Sequence, residues 1–313
     1  MKILANKLIA FLVSLVLISL IVFFVFQILP GDPALIILGA DADINQLEAL
    51  RESMGLNLPL STRYFNWVKG ALTGDLGISI RYNMPVADLI KSRLPVTLTM
   101  GVMALIMSIA IGLSLGTIIS KYEHTICGQL LSAFTQVGLA IPTFWMGLML
   151  MLVFSVILKL FPTVGYINYH DDFFGFVRGL FLPSLALAMG NSAIIIRFFK
   201  SSVSDNMSQD YVRTALSRGC NDNRVLFTHV FRNALLPIIT ITGMIAAETL
   251  SGSMIVENVF SLPGLGQLII TSISTRDMPL VQASCLFVAV VVVSVNFIVD
   301  ALYKFADPRL RVQ

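Results

Sequence analysis

Residues 210–237 read DYVRTALSRGCNDNRVLFTHVFRNALLP. With Asp210, Arg213, Arg218, Asp222, Arg224 and Arg232 the stretch is too charged to cross hydrocarbon. It is nonetheless patterned. Val203, Met207, Tyr211 and Ala215 recur at a spacing of four, one face of an amphipathic helix lying along a membrane surface or against a partner. Gly219 then permits a turn, and Val225, Leu226, His229 and Val230 resume a helical pattern before Pro237. The spacing predicts a helix–glycine–helix hairpin within a polar connection at 200–232. Its shape suits docking; a solvated basic loop is the alternative.

On either side of this connection the chain turns apolar. It has 313 residues, of which 56% are hydrophobic and 12% charged, half the usual charged share of a soluble domain. The apolar residues fall in long runs near 8–29, 96–119, 130–160, 181–199, 234–256 and 280–303. Each is long enough to span about 30 Å of hydrocarbon. The third run is over-long and contains Pro142, which predicts a kink or partial exit from the bilayer. The first follows Lys2 and Lys7 like a signal peptide, but it is longer than an h-region and lacks a small-x-small cleavage site, so it reads as a retained helix. These features give an all-α membrane protein with six transmembrane helices. Its parts are a first helix at 1–29, a small external insert at 30–95 and a five-helix core at 96–313.

Lysine and arginine set the expected orientation. Lys2 and Lys7, the 200–232 connection, and Lys304, Arg309 and Arg311 fall on one side of a six-span chain, which places both termini in the cytoplasm. The insert carries basic residues too, but its acids balance them and long translocated segments escape the rule. Within it, Pro30-Gly31-Asp32-Pro33 forces a turn, Ala49–Met54 ahead of Gly55 reads as a short helix, and Tyr64, Phe65, Trp67 and Val68 suggest an amphipathic second one, its aromatics acting as an interfacial anchor.

Several chemistries are excluded. Cys127, Cys220 and Cys285, like His124, His170 and His229, are scattered without metal-ligand spacing. No GxxxxGK[ST] phosphate loop, GxSxG or paired-carboxylate site occurs, so the chain is no enzyme and binds no ATP or other cofactor by itself. A net charge of +3 on so apolar a chain does not suggest nucleic acid. Glu257, Arg276 and Asp277 lie at the ends of spans and read as solvated charges. Inside the spans, Asn191 and Glu248 are polar groups that must face protein or a wet cavity. Thr240, Met244, Glu248 and Ser251 share one helical face, which can line a central path. Packing against a neighbouring helix is the other reading of Glu248.

At this point the motifs become specific. Residues 210–237 resemble the cytoplasmic loop of ATP-binding-cassette (ABC) importer permeases, with Thr214, Ala215, Gly219, Leu236 and Pro237 matching. Arg213 stands where the wider pattern has glutamate, as in the peptide/nickel branch. Further matches keep their order along the chain. They include Gly31-Asp32-Pro33, Gly74-Asp75-Leu76-Gly77-Ile78-Ser79, Leu94-Pro95-Val96-Thr97-Leu98, Ile141-Pro142-Thr143-Phe144-Trp145, Phe260–Gly266, Arg276-Asp277-Met278-Pro279 and Asp307-Pro308-Arg309. Together they resemble the first permease of the dipeptide/oligopeptide/nickel transporters.

The resemblance implies a type I importer fold in the bacterial inner membrane. It implies a second related permease, two ATPase subunits carrying ATP and magnesium, and an external solute-binding protein. Asp210, Tyr211, Arg213, Thr214, Ala215 and Gly219 would belong to the helix that couples to the ATPase, and Thr240, Met244, Glu248, Ser251 and Asn191 to the translocation path. The stretch from Gly243 to Phe260, with Glu248, is closest to the nickel branch and points to nickel or a nickel chelate ahead of di- or oligopeptides. An ion-coupled secondary transporter is the rival class; the coupling-loop motif and the lack of visible repeats count against it.

Overall fold

The computed structural model describes residues 2–28, 33–39, 42–162 and 165–306. The described residues are almost wholly helical. In chain order the helices are α1 (Lys2–Ile28), α2 (Pro33–Leu38), α3 (Ile44–Ser53), α4 (Leu60–Thr73), α5 (Val86–Lys121), α6 (Ile126–Ala140) and α7 (Thr143–Leu150). Then come α8 (Phe173–Met207), α9 (Asp210–Ser217), α10 (Asp222–Arg224), α11 (Phe231–Val259), α12 (Leu265–Ser274) and α13 (Met278–Ala306). Two π-helical segments, Met151–Ile157 and Val225–Val230, extend α7 and join α10 to α11. The turn expected at 30–32, the Asp307-Pro308-Arg309 motif and Arg311 lie outside the described residues.

Five helical stretches are long and apolar enough to cross a membrane, and a sixth span arises if α6 and α7 with its π extension are one broken crossing, bent by 106°. The break sits at Pro142. Proline disfavours helical backbone at the residue before it, and Ile141 is extended at φ −82°, ψ 122°. Pro142 then caps α7. Two spans are longer than their hydropathy: α5 begins at Val86 and keeps Pro95 inside it, and α8 runs on to Met207. So the connection expected from residue 200 begins later, and α12 has no counterpart among the expected elements.

The chain forms two compact units, Met1–Pro95 with Pro263–Ser294, and Val96–Leu262 with Val295–Gln313. In the first, Val86, Leu89 and Ile90 pack with Leu265, Leu268 and Leu280. Met54 and Gly55 end α3, Gly55 at φ +67°. The next helix, α4, leans on α1: the Tyr64 and Trp67 rings lie 5.4 and 5.8 Å from Phe23, and the Tyr64 and Ser19 hydroxyls are 2.8 Å apart. Phe65 points outward, 69% exposed.

In the second unit α8 is the central element. Gly112 and Gly116, one turn apart on α5, lie against Ile195 and Phe199, one turn apart on α8. A β-carbon at either glycine would stand 2.6 or 2.9 Å from those side chains. Close approach through a small-xxx-small pair is how helices associate where lipid removes the hydrophobic drive between them. Phe199 and Ile195 then join Val203, Val212, Val225, Leu226 and Val230 in one apolar cluster, which secures α9 and the π segment.

Candidate coupling helix and translocation face

The second unit presents two faces that carry most of the residues singled out in the sequence. The first is α9, eight residues between Gln209, its extended N-cap, and Gly219. Val212 alone in α9 is fully buried, and Ala215 is half-buried beside it. The expected stripe through Val203, Met207, Tyr211 and Ala215 is therefore not one face. Met207, still within α8, is already exposed beside the buried Val203. Beyond the break at Ser208 and Gln209, Tyr211 points outward and donates to Asn206 Oδ1 at 3.0 Å, while Val212 takes the inward position. Asp210, Arg213 and Thr214 are exposed, with Arg213 and Asp210 3.9 Å apart. Such a surface pair contributes little stability. Leu216 is also 40% exposed, an apolar knob that sequence periodicity left unassigned.

The helix closes on Gly219 at φ +82°. Gly219 N–H donates to Leu216 O at 2.9 Å and Cys220 N–H to Ala215 O at 3.2 Å, a left-handed glycine cap. Asn221 then caps α10 by accepting from Asn223 N–H at 3.1 Å. The turn expected at Gly219 is thus present, with helix on both sides.

The second face belongs to α11. Met244, Glu248, Ser251 and Ile255 are exposed at intervals of three and four, with Thr240 half-buried above them. The opposite side buries Ile245, Ala247, Thr249, Ser253, Val256 and Glu257. Three of the five path candidates, Met244, Glu248 and Ser251, thus share one outward stripe, while the Thr240 hydroxyl is buried without a hydrogen-bond partner among the described residues. Asn191 does not join them: its amide donates to Thr249 Oγ1 at 2.8 Å on the inward side, tying α8 to α11.

Two charges read as solvated are buried instead. Glu257 is fully buried, accepting from Thr97 Oγ1 at 2.7 Å and from Ser253 Oγ at 3.4 Å. Asp277, in the first unit, is 1% exposed. Its carboxylate accepts from Ser79 Oγ, from the Ile80 and Arg81 amides at 3.2 Å and from the Leu280 amide at 3.3 Å. It caps α13 and holds the 79–81 turn, so the Gly74–Ser79 and Arg276–Pro279 motifs meet at one side chain. Aspartate just before a helix whose second residue is Pro279 is a cap signal; Thr249, Ser253 and Glu257 at spacing four mark a polar seam along the inward side of α11. Arg276 stays exposed as expected.

Residues 108–312 match the family described as the binding-protein-dependent transport system inner membrane component, and residues 1–101 match its N-terminal membrane component. The chain belongs to this family. The permease is 38% identical over 296 residues to the oligopeptide transport system permease protein of Bacillus subtilis, covering 94% of each chain. It is 34% identical over 306 residues to the glutathione transport system permease protein of Escherichia coli K12, covering 98% of this chain and 97% of that one. Its fold matches a solved structure of the inward-facing MetNI methionine ABC transporter, with a TM-score of 0.58 at 15% identity, over 70% of this chain and 96% of that one.

The permease therefore has the type I importer fold and is a multi-pass membrane subunit of an ABC importer. The nickel reading has no counterpart among the relatives named here; the peptide alternative does. Among the described residues no group of three or more His, Cys, Asp or Glu side chains gathers to hold a metal ion, and Glu248 stands alone on its stripe.

Proposed function

We propose that this permease forms one half of a translocation path for short peptides, in a complex with a second related permease, two ATPase subunits and an external solute-binding protein. The observation that carries the substrate class is the similarity over nearly the whole chain to permeases named for oligopeptide and glutathione transport. In this reading both termini and α9 face the cytoplasm and residues 30–95 face outward. The exposed side of α9, with Tyr211, Thr214 and Leu216, seats in the ATPase, where ATP and magnesium are held. The α11 stripe lines the path, and the Glu248 carboxylate offers weak, reversible contact to a peptide's ammonium end, as a path that must release its cargo requires.

The test is uptake by the complete complex in vesicles, with its binding protein and the peptide outside and the ATPase subunits facing the lumen. Labelled di- to hexapeptides should accumulate only with ATP inside the ATPase compartment. Accumulation of nickel without peptide would overturn the substrate class, and uptake driven by an ion gradient without ATP would overturn the mechanism.

A further inference from the structure

Between α9 and the α11 stripe the backbone changes its hydrogen-bonding register. Asp222–Val259 is one helical stretch, but Val225–Val230 within it is π-helical. Phe231 N–H reaches back five residues to Leu226 O, where an α-helix would use Phe227 O. Such a turn holds one residue more than an α-turn. Further along, Pro237 lies inside α11 and offers no N–H to Asn233 O. The Asn233 side chain turns back between the two, its amide donating to His229 O at 3.2 Å. The ladder is therefore weakened twice between Val225 and Pro237. A π turn and a proline are the usual places for a helix to bend.

Side-chain packing does not ask for the extra residue. Val225, Leu226 and Val230 are buried, whereas Phe227, Thr228 and His229 are exposed. Without one of the three exposed residues, Val230 would follow Val225 at a spacing of four and Leu226 at three. Both are α-helical spacings that keep the buried side chains on one face. A plain α-helix could thus bury the same residues in the same cluster. That cluster holds Val212 of α9, before the π turn, and Ala234 and Ile238 of α11, after it. The stripe begins at Met244, about two turns beyond Pro237. The weakened stretch is therefore the helical connection from α9 to the stripe.

We propose that Val225–Pro237 is a hinge of the transport cycle, at which α9 and α10 change their angle to the rest of α11. The proposal rests on the reading that α9 seats in the ATPase. A jointed helix turns a push on α9 into a tilt of the stripe, whose residues keep their spacing. The assembled complex, with Cys127, Cys220 and Cys285 replaced by serine, carries two nitroxides at exposed positions. One pair is Asn223→Cys with Ile239→Cys, across the hinge; the other is Ile239→Cys with Ile255→Cys, beyond it. Either pair would stand about 24 Å apart on a straight α-helix, and the distance is read by double electron–electron resonance. Between the nucleotide-free and vanadate-trapped states the first pair should change its distance and the second should not. An unchanged first pair, or a second pair that moves as much, would overturn the hinge. Deletion of Thr228, which restores α spacing, should abolish the change and lower the peptide imported per ATP hydrolysed. A deletion variant that assembles and couples like its parent would overturn the hinge as well; if the deletion prevents assembly, the two parent distances decide alone. A parent complex that imports peptide without ATP refutes the α9 reading and the hinge together, whereas ATP-driven uptake with an unchanged first pair refutes the hinge alone.

Discussion

Gly219 allows the coupling reading to be separated into backbone and side-chain effects. Its φ of +82° lies in the left-handed region, and a β-carbon built there meets nothing within 4 Å of the chain. Within this subunit a substitution is therefore penalised by backbone strain alone, roughly 1–2 kcal/mol for an ordinary residue and less for asparagine. That is about five- to thirty-fold in the population of the closed turn. Gly219→Asn should stay near wild type, Gly219→Ala should be intermediate and Gly219→Val weakest. The quantity to measure is peptide imported per ATP hydrolysed by the complete complex in vesicles, with complex yield as the control. A Gly219→Val complex with the wild-type ratio would refute the claim that the glycine cap positions α9. If Gly219→Asn proves as poor as Gly219→Val, the strain argument fails and a closely approaching partner surface takes its place.

Glu248→Gln should lower uptake of peptides with a free amino terminus while complex yield stays normal; a silent Gln variant beside a misassembled Glu248→Leu variant would assign the carboxylate to packing instead. Thr97→Val should destabilise the purified protein by about 1–3 kcal/mol by removing a donor from a buried carboxyl group. Combined with Glu257→Leu the loss should fall short of the sum by about 0.5–3 kcal/mol, and strict additivity in thermal melts would show that the 2.7 Å contact contributes nothing. With Cys127, Cys220 and Cys285 replaced by serine, an impermeant maleimide should label Asn66→Cys and Asn83→Cys in intact cells and Asp205→Cys only after permeabilisation; the reverse pattern overturns the assigned topology.

The residues that read correctly in sequence are those whose structural cause is local. Pro142 breaks a span because proline acts on its own neighbour, Gly55 and Gly219 end helices because positive φ suits them, and the apolar runs become helices because lipid leaves the backbone few other ways to satisfy itself. The misread residues are those whose partners lie far away in the chain. Glu257 finds Thr97 at a separation of 160 residues and Asp277 finds Ser79 at 198, so each looked like a solvated charge at a span's end. Asn191 similarly turns to Thr249 and away from the outward stripe. Tyr211 was misplaced for a different reason: α8 ends at Met207 and α9 starts at Asp210, and periodicity counted across the Ser208–Gln209 break cannot register the change of helix. On the candidate site, the shared exposure of Met244, Glu248 and Ser251 was legible because they lie within one unbroken helix.

The carboxylate of Asp277 has a consequence for the order in which the protein can be built. The turn at Ser79–Arg81 depends on a residue made 198 positions later. At a synthesis rate of about 5–20 residues per second, that turn waits about 10–40 s for its anchor after leaving the ribosome. For that interval the nascent chain carries an unlatched segment beside its first span, open to surveillance proteases. A chain that ends before residue 277 lacks the carboxylate that the Ser79–Arg81 turn uses as its anchor.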